Sequence, residues 1–324
     1  MGQLIKLQDY VSRYEQDIFT YPSRFVRLKT QQWERTKAGW ENEGMDASNL
    51  FLPTSSVHIE EERDTPVFLK KLKGFFKNSQ EVETEVEEQA ESSNIPEDPL
   101  QFSASFEYKP QTLEELKRQY LDQLYRFQLK WASSTVFEKS YFPSKFYFED
   151  NLKFFLQRFP DTFLILYKPI FLLKNAPVEA EIILLTPTDL WCITFLEEEN
   201  SAVFIGSNER FWIKRTNYGE KKVLNPLISL NRTGRIVRKI LKANEIEFPV
   251  HKLVISRNGY IDYPAVPFDI KFAEARNFDT WFQSMRSLKS PLKHLQLKSA
   301  ESLLQFCQTT SMRRPEWMQS EENS

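Results

Sequence analysis

The residues with types and spacing suited to chemistry fall into three groups. Glu181 opens the first of two apolar runs in AEIILLTPTDLWCITFLE, residues 180 to 197, and the polar turn Thr186-Pro187-Thr188-Asp189 separates the runs. An acid leading a strand in this way either helps to hold a divalent cation or simply starts a hairpin. Arg235, Arg238, Lys239 and Lys242 share one face of a helix that follows Asn225-Pro226. Such a row is a phosphate-contacting surface or the solvated side of a core helix whose Ile236, Val237, Ile240 and Leu241 face inward. His58, His251 and His294 are scattered, with no metal spacing and no paired cysteines, and each reads as a surface or internally satisfied histidine. There is no GxSxG elbow or glycine-rich phosphate loop, and 8 glycines leave little material for one.

The totals narrow the class. A formal net charge of −2 gives no global field that would favour nucleic acid or an anionic membrane. That balance hides an acidic run, because the charged residues from 78 to 107 are Glu81, Glu83, Glu85, Glu87, Glu88, Glu91, Glu97, Asp98 and Glu107. Cys192 and Cys307 cannot make a disulfide framework and show no CxxC spacing, which fits a reducing cytoplasm. The opening MGQLIKLQDYVSRYEQ lacks the apolar centre of a signal peptide, and the greasiest stretch, residues 163 to 173, is broken by Lys168 and Pro169. The expectation is a cytoplasmic protein with no membrane span.

These groups must be held by elements that the periodicity outlines. Residues 1–40 read as an N-terminal helical segment in two pieces, with Leu4, Leu7, Tyr10, Val11 and Tyr14 at helical spacing and Tyr21-Pro22-Ser23 as the break. Between 41 and 110 the apolar pattern weakens and the acidic run follows, so this stretch reads as a partly disordered acidic insertion. Within it, residues 68–77 form a short basic amphipathic patch. Structure resumes at Thr112, where Thr112-Leu113-Glu114-Glu115 has the form of a capping box, and Leu116, Tyr120, Leu124, Phe127 and Trp131 continue a long amphipathic helix. A second helix over 145–158 should bury Phe148, Leu152, Phe155 and Leu156. Strand-like runs separated by turns then give a mostly antiparallel meander from 162 to 215. A helix over 227–243, a strand over 250–256, a helix over 278–288 and a last helix opening at Ser290-Pro291 complete the chain. Residues 111–288 thus make one domain with a leading helix, and 289–324 a C-terminal helix and tail.

The order helix, strands, helix, strand, helix permits a closer comparison. Residues 149 to 285 resemble the NERD (nuclease-related) domain, on Glu149-x-x-Leu152-x-x-x-Leu156, Glu181-Ile-Ile-Leu-Leu, Leu190-Trp-Cys-Ile-Thr-Phe-Leu196, Trp212, Asn225-Pro226-Leu227 and Pro249-Val250-x-Lys-Leu-Val-Ile255. The opening block, GQLIKLQDYVSRYEQDI followed by YPSRFVRLK, also looks like the start of a Bacillus group of NERD-containing proteins. The resemblance implies an α/β (α+β) fold, a restriction-endonuclease-like mixed sheet flanked by helices. It also implies a site in which an acid begins one strand while an acid and a lysine stand two apart on the next. That spacing puts both on one face, where carboxylates hold Mg²⁺ and the lysine orients the attacking water. Here the leading acid matches Glu181, but the other two positions match Thr194 and Leu196, neither of which can do that work. Glu149, Glu181, Thr194 and Leu196 therefore make a vestigial site, with Glu198 and Lys214 as the residues that could rescue it.

Three functions follow. The first is a catalytically degenerate NERD-like protein that binds or scaffolds in the bacterial cytoplasm, without cofactor, on a nucleic-acid or protein partner, with Arg235, Arg238, Lys239 and Lys242 as its nucleic-acid candidates. The second is a metal-dependent nuclease with a rearranged site that takes Mg²⁺ through Glu181. The third is a protein–protein interaction module working through its N-terminal helices.

Overall fold

The computed structural model describes residues 1–41, 102, 104, 110–174, 176–197, 201–264 and 267–314. Six strands, numbered in chain order, lie side by side as β1 (Gln3–Leu7), β3 (Leu164–Tyr167), β6 (Ile182–Leu185), β7 (Leu190–Phe195), β11 (Val250–Ser256) and β13 (Ile270–Glu274). The pairs β3/β6 and β6/β7 are antiparallel, while β1/β3, β7/β11 and β11/β13 are parallel. LILY in β3 and IILL in β6 are apolar and buried at every position because both faces of this sheet are covered.

On one face, α4 (Pro226–Ala243) and α6 (His294–Leu304) cover Ile183, Leu185, Cys192 and Val254. On the other, α3 (Asp150–Arg158) and α5 (Phe278–Arg286) cover Ile182, Leu184, Ile193 and Leu253. Helix α2 (Leu113–Trp131) gives Tyr120 and Leu124 to the first core and Tyr125 and Leu129 to the second. It lies against β1, where the Leu4 amide donates to Gln128 Oε1 at 2.7 Å. The sheet edge is thus satisfied by a side chain. Helix α1 (Tyr21–Glu41) packs outside α2, with Tyr120 donating its hydroxyl to the Lys29 carbonyl.

A second, four-stranded sheet runs in the order β10 (Gly219–Leu224), β9 (Phe211–Thr216), β8 (Val203–Ile205), β12 (Tyr260–Asp262). Two short ribbons pair β4 (Ile170–Leu173) with β5 (Ala176–Glu179), and β2 (Glu138–Lys139) with β14 (Met312–Arg313). The chain is a mixed sheet flanked by helices, as its order of elements implies.

Several local expectations are corrected. Gln3–Leu7 is a strand and not the first piece of a helix: all five residues are buried, Leu4 and Ile5 face opposite cores as an extended chain provides, and a register irregularity between Leu4 and Lys6 returns Leu7 to the core of Leu4. The helix expected from 145 begins only at Asp150, after a 3₁₀ turn over Ser144–Tyr147, and leaves Phe148 71% exposed. The last helix starts at His294, because Lys293 is still extended. The 41–110 insertion and its basic patch fall largely outside the described residues. Phe102 and Ala104, placed in that insertion, pack in the core, with Phe102 against Tyr120 and Phe127.

Candidate active site

The residues matched to the nuclease pattern do not assemble a cation site. Thr194 and Leu196 are buried, Thr194 facing Val254 in register and Leu196 donating its amide to the Ile255 carbonyl. Glu181 stands just before β6, its amide donating to Thr233 Oγ1 at 2.9 Å. Its carboxylate lines a cavity of about 170 Å³ with Lys168, Glu179, Ala180 and Arg232. Lys168 and Arg232 set two positive charges against the two carboxylates of that lining, and no third acid joins them among the described residues. Glu149 accepts a hydrogen bond from the Tyr167 hydroxyl at 2.8 Å. Burial and that carboxylate together push the Tyr167 hydroxyl above the usual tyrosine range.

Lys214 lies on β9 of the second sheet, paired with Phe204 and Lys221, and not on the strands that flank Glu181. Glu198 is outside the described residues. Glu197 is held by Arg257, which bonds both of its oxygens at 2.6 Å and Asn151 at 2.7 Å. Among the described residues no three His, Cys, Asp or Glu side chains gather to hold a metal. Cys192 is fully buried beneath α4, and that burial pushes its thiol up to about 12, so it supplies no nucleophile.

The structure brings together a different set at the N-terminal ends of β7, β11 and β13. Asp189 closes the turn before β7. Thr186 Oγ1 accepts from the amides of Thr188 and Asp189 at 3.2 and 3.0 Å, and Thr188 Oγ1 donates to Asp189 Oδ2 at 2.5 Å. A local hydroxyl-to-backbone turn of this kind fixes the acid that ends it. Asp189 Oδ1 lies 3.1 Å from His251 Nε2, with both side chains partly open to solvent. The parallel pairing of β7 with β11 sets His251 beside Trp191, their rings 4.6 Å apart, and Lys271 of β13 places its ammonium 5.0 Å from the Trp191 ring centre. The Trp191 indole N–H is buried and has no partner among the described residues.

When Nε2–H is donated to Asp189, the lone pair is on Nδ1, the form of imidazole that removes a proton. A carboxylate-oriented histidine beside a cation can move a proton and hold an anion.

Behind this cluster, on the opposite face, Lys252 is 5% exposed. It donates to Asn231 Oδ1 at 2.5 Å and pairs with Asp269 at 2.6 Å. Burial pulls the Asp269 carboxyl up, but the bond and charge of Lys252, with Arg238, hold it below the usual range. Arg238 also donates to the Val250 carbonyl at 3.2 Å. That contact ties α4 to the residue preceding His251. Arg235, Lys239 and Lys242 lie exposed along α4, and His294 stacks on Phe19 away from this site.

The sequence names His251 as a scattered histidine and Asp189 as a turn residue. They stand 62 positions apart, and only the β7/β11 register joins them.

Comparison with known proteins adds a chemical class. The chain is 38% identical over 128 residues to an RNA 2',3'-cyclic phosphodiesterase of Geobacillus stearothermophilus. The match covers 40% of this chain and 36% of that relative, so the chain spans about a third of its relative's length. No protein-family model matches the chain, and no solved structure matches it. The relative overturns the expectation of a catalytically degenerate, nuclease-related binding module, because its name is that of an enzyme. No helix among the described residues is long and apolar enough to cross a membrane.

Proposed function

We propose that this chain is a phosphodiesterase acting on RNA ends that carry a 2',3'-cyclic phosphate, with His251 as the proton-transfer group and Asp189 as the residue that orients it. The observation that carries the reading is the Asp189–His251 pair at 3.1 Å, partly open to solvent at the end of the sheet where β7 and β11 begin. The relative contributes the substrate class.

Hydrolysis of a cyclic phosphate adds one water. Its oxygen bonds to phosphorus, one ring P–O bond breaks, and the product is a phosphomonoester beside a free hydroxyl. His251 Nδ1 takes the proton of the attacking water, the imidazolium so formed is steadied by Asp189, and the departing ribose oxygen takes its proton from solvent. The Lys271 ammonium is placed to offset the charge that builds on the phosphate oxygens.

The test is hydrolysis of cytidine 2',3'-cyclic monophosphate by the purified chain and by its His251→Ala variant. The expected result is turnover by the first and a loss of about 10²- to 10⁴-fold in the second, the usual contribution of a positioned base. Equal rates, or no turnover by the unaltered chain, would remove the reading.

A further inference from the structure

Helix α4 carries Arg232, Arg235, Arg238, Lys239 and Lys242 and no Asp or Glu in its 18 residues. Arg232, Arg235, Lys239 and Lys242 follow one another at intervals of three, four and three, so they form a single row along the helix. All four are exposed, while Leu227, Leu230, Val237, Ile240 and Leu241 on the other side are buried. From Arg232 to Lys242 the row runs about 15 Å.

Each end of the row meets a depression of the surface. At one end Arg232 donates to the Glu179 carbonyl and lines the small cavity with Lys168. At the other, Arg238 and Lys242 line a groove of about 450 Å³ together with the apolar Leu241, Ile246, Phe248 and Val250, the neighbour of His251, and with Glu245 and Glu247.

Ordinary helix electrostatics accounts for only part of this. Cations in a last turn complement the helix dipole, which covers Lys242, but that effect fades within a turn and gives nothing to Arg232 or Arg235. A helix whose charge serves only solubility or internal support interleaves both signs, and α4 does not. Among the described residues Arg238 alone of the five makes an ion pair, with Asp269.

We infer that α4 is the track on which a single strand of RNA lies, its phosphates along Arg232, Arg235, Lys239 and Lys242 and its end led past the groove to His251. This rests on the proposed phosphodiesterase reading for the identity of the strand, and on charge complementarity for the surface. Successive phosphates supply a row of like charge that a row of cations neutralises, and the apolar residues of the groove suit a base near the end.

The experiment measures binding of a fluorescein-labelled oligoribonucleotide with a 3'-phosphate, which no ring opening can consume, across a series of NaCl concentrations. The full chain is compared with R232Q/R235Q/K239Q/K242Q, whose fold is checked by its melting curve. The expected result is a weaker salt dependence in the variant, the slope of log K against log[NaCl] shrinking by about 0.7 for each lost phosphate contact, hence by roughly 3 in all. An unchanged slope in the folded variant overturns the inference. So does equal binding of polyglutamate, which would make the surface a seat for acidic polypeptide. Hydrolysis of the cyclic mononucleotide by the unaltered chain is read separately: binding that depends on α4 without turnover keeps the track and loses the enzyme, and turnover with an unchanged slope does the opposite.

Discussion

Asp189 and His251 lie 62 residues apart in the chain, yet their side chains meet at 3.1 Å. The carboxylate is fixed by the Thr186–Thr188 hydroxyl turn and the imidazole by the first residues of β11, so neither partner depends on a mobile rotamer of the other. Asp189→Asn keeps the shape but replaces the acceptor that selects the Nε2–H tautomer. Its kcat on a cyclic nucleotide should fall about 10²-fold with little change in KM. A variant as fast as the parent would show that Asp189 has no orienting role.

Lys6 is fully buried in β1, where its ammonium is bonded to Glu15 and to Thr309 Oγ1, which lies 2.8 Å away. Lys6→Met removes the cation and leaves Glu15 against the core. Urea unfolding should report a loss of roughly 2–3 kcal/mol, somewhat below the figure for a fully enclosed pair because Glu15 retains some contact with water. No loss, or a gain, would mean that the pair contributes nothing net.

Cys192 carries a thiol raised by burial from 9.0 to about 12. Because the folded value is the higher one, the folded chain binds more protons than the unfolded chain between these values, and the associated stability is present below pH 9 and is lost as pH climbs toward 12. The stability advantage of the native chain over Cys192→Ala should therefore narrow between pH 9 and 11, and the thiol should resist aromatic disulfide reagents at pH 8 until the chain unfolds. Rapid labelling of position 192 in the folded state would contradict this.

Arg257 joins β11 to Glu197 and to Asn151, and lies over Phe154 and Phe195 at 5.2 Å from each ring. A lysine cannot reproduce the paired bonds of the planar fork. Arg257→Lys should cost about 1–2 kcal/mol in unfolding experiments while leaving phosphodiesterase turnover within twofold. A large change in turnover with stability intact would place Arg257 in the chemistry.

Most of the fold was legible because its signals are local. Apolar spacing marked α2, α4 and α5, Asn225-Pro226 marked the start of α4, and apolar runs marked β3, β6, β7 and β11 within a residue or two. Failures occurred where partners decide. QLIKL has no period of its own over five residues, and Gln128 and β3 make it a strand. β13, IKFAE, carries two charges among three apolar residues and is defined by its pairing with β11. For the site, the exposure of Arg235, Lys239 and Lys242 on α4 was legible because a helix repeats its face in sequence, whereas Arg232 was not singled out and Arg238 pairs with Asp269. The His251 cluster was not, since it draws single residues from three strands and a turn that only the sheet brings together.

The pairing of β1 with β3 has a consequence for how the chain reaches its final state. Gln3–Leu7 can join the sheet only after Leu164–Tyr167 has left the ribosome, and its lysine meets Thr309, 303 positions away, later still. Closure over such distances carries a large entropic cost and slows assembly, so this apolar segment spends synthesis unpaired and open to capture by chaperones.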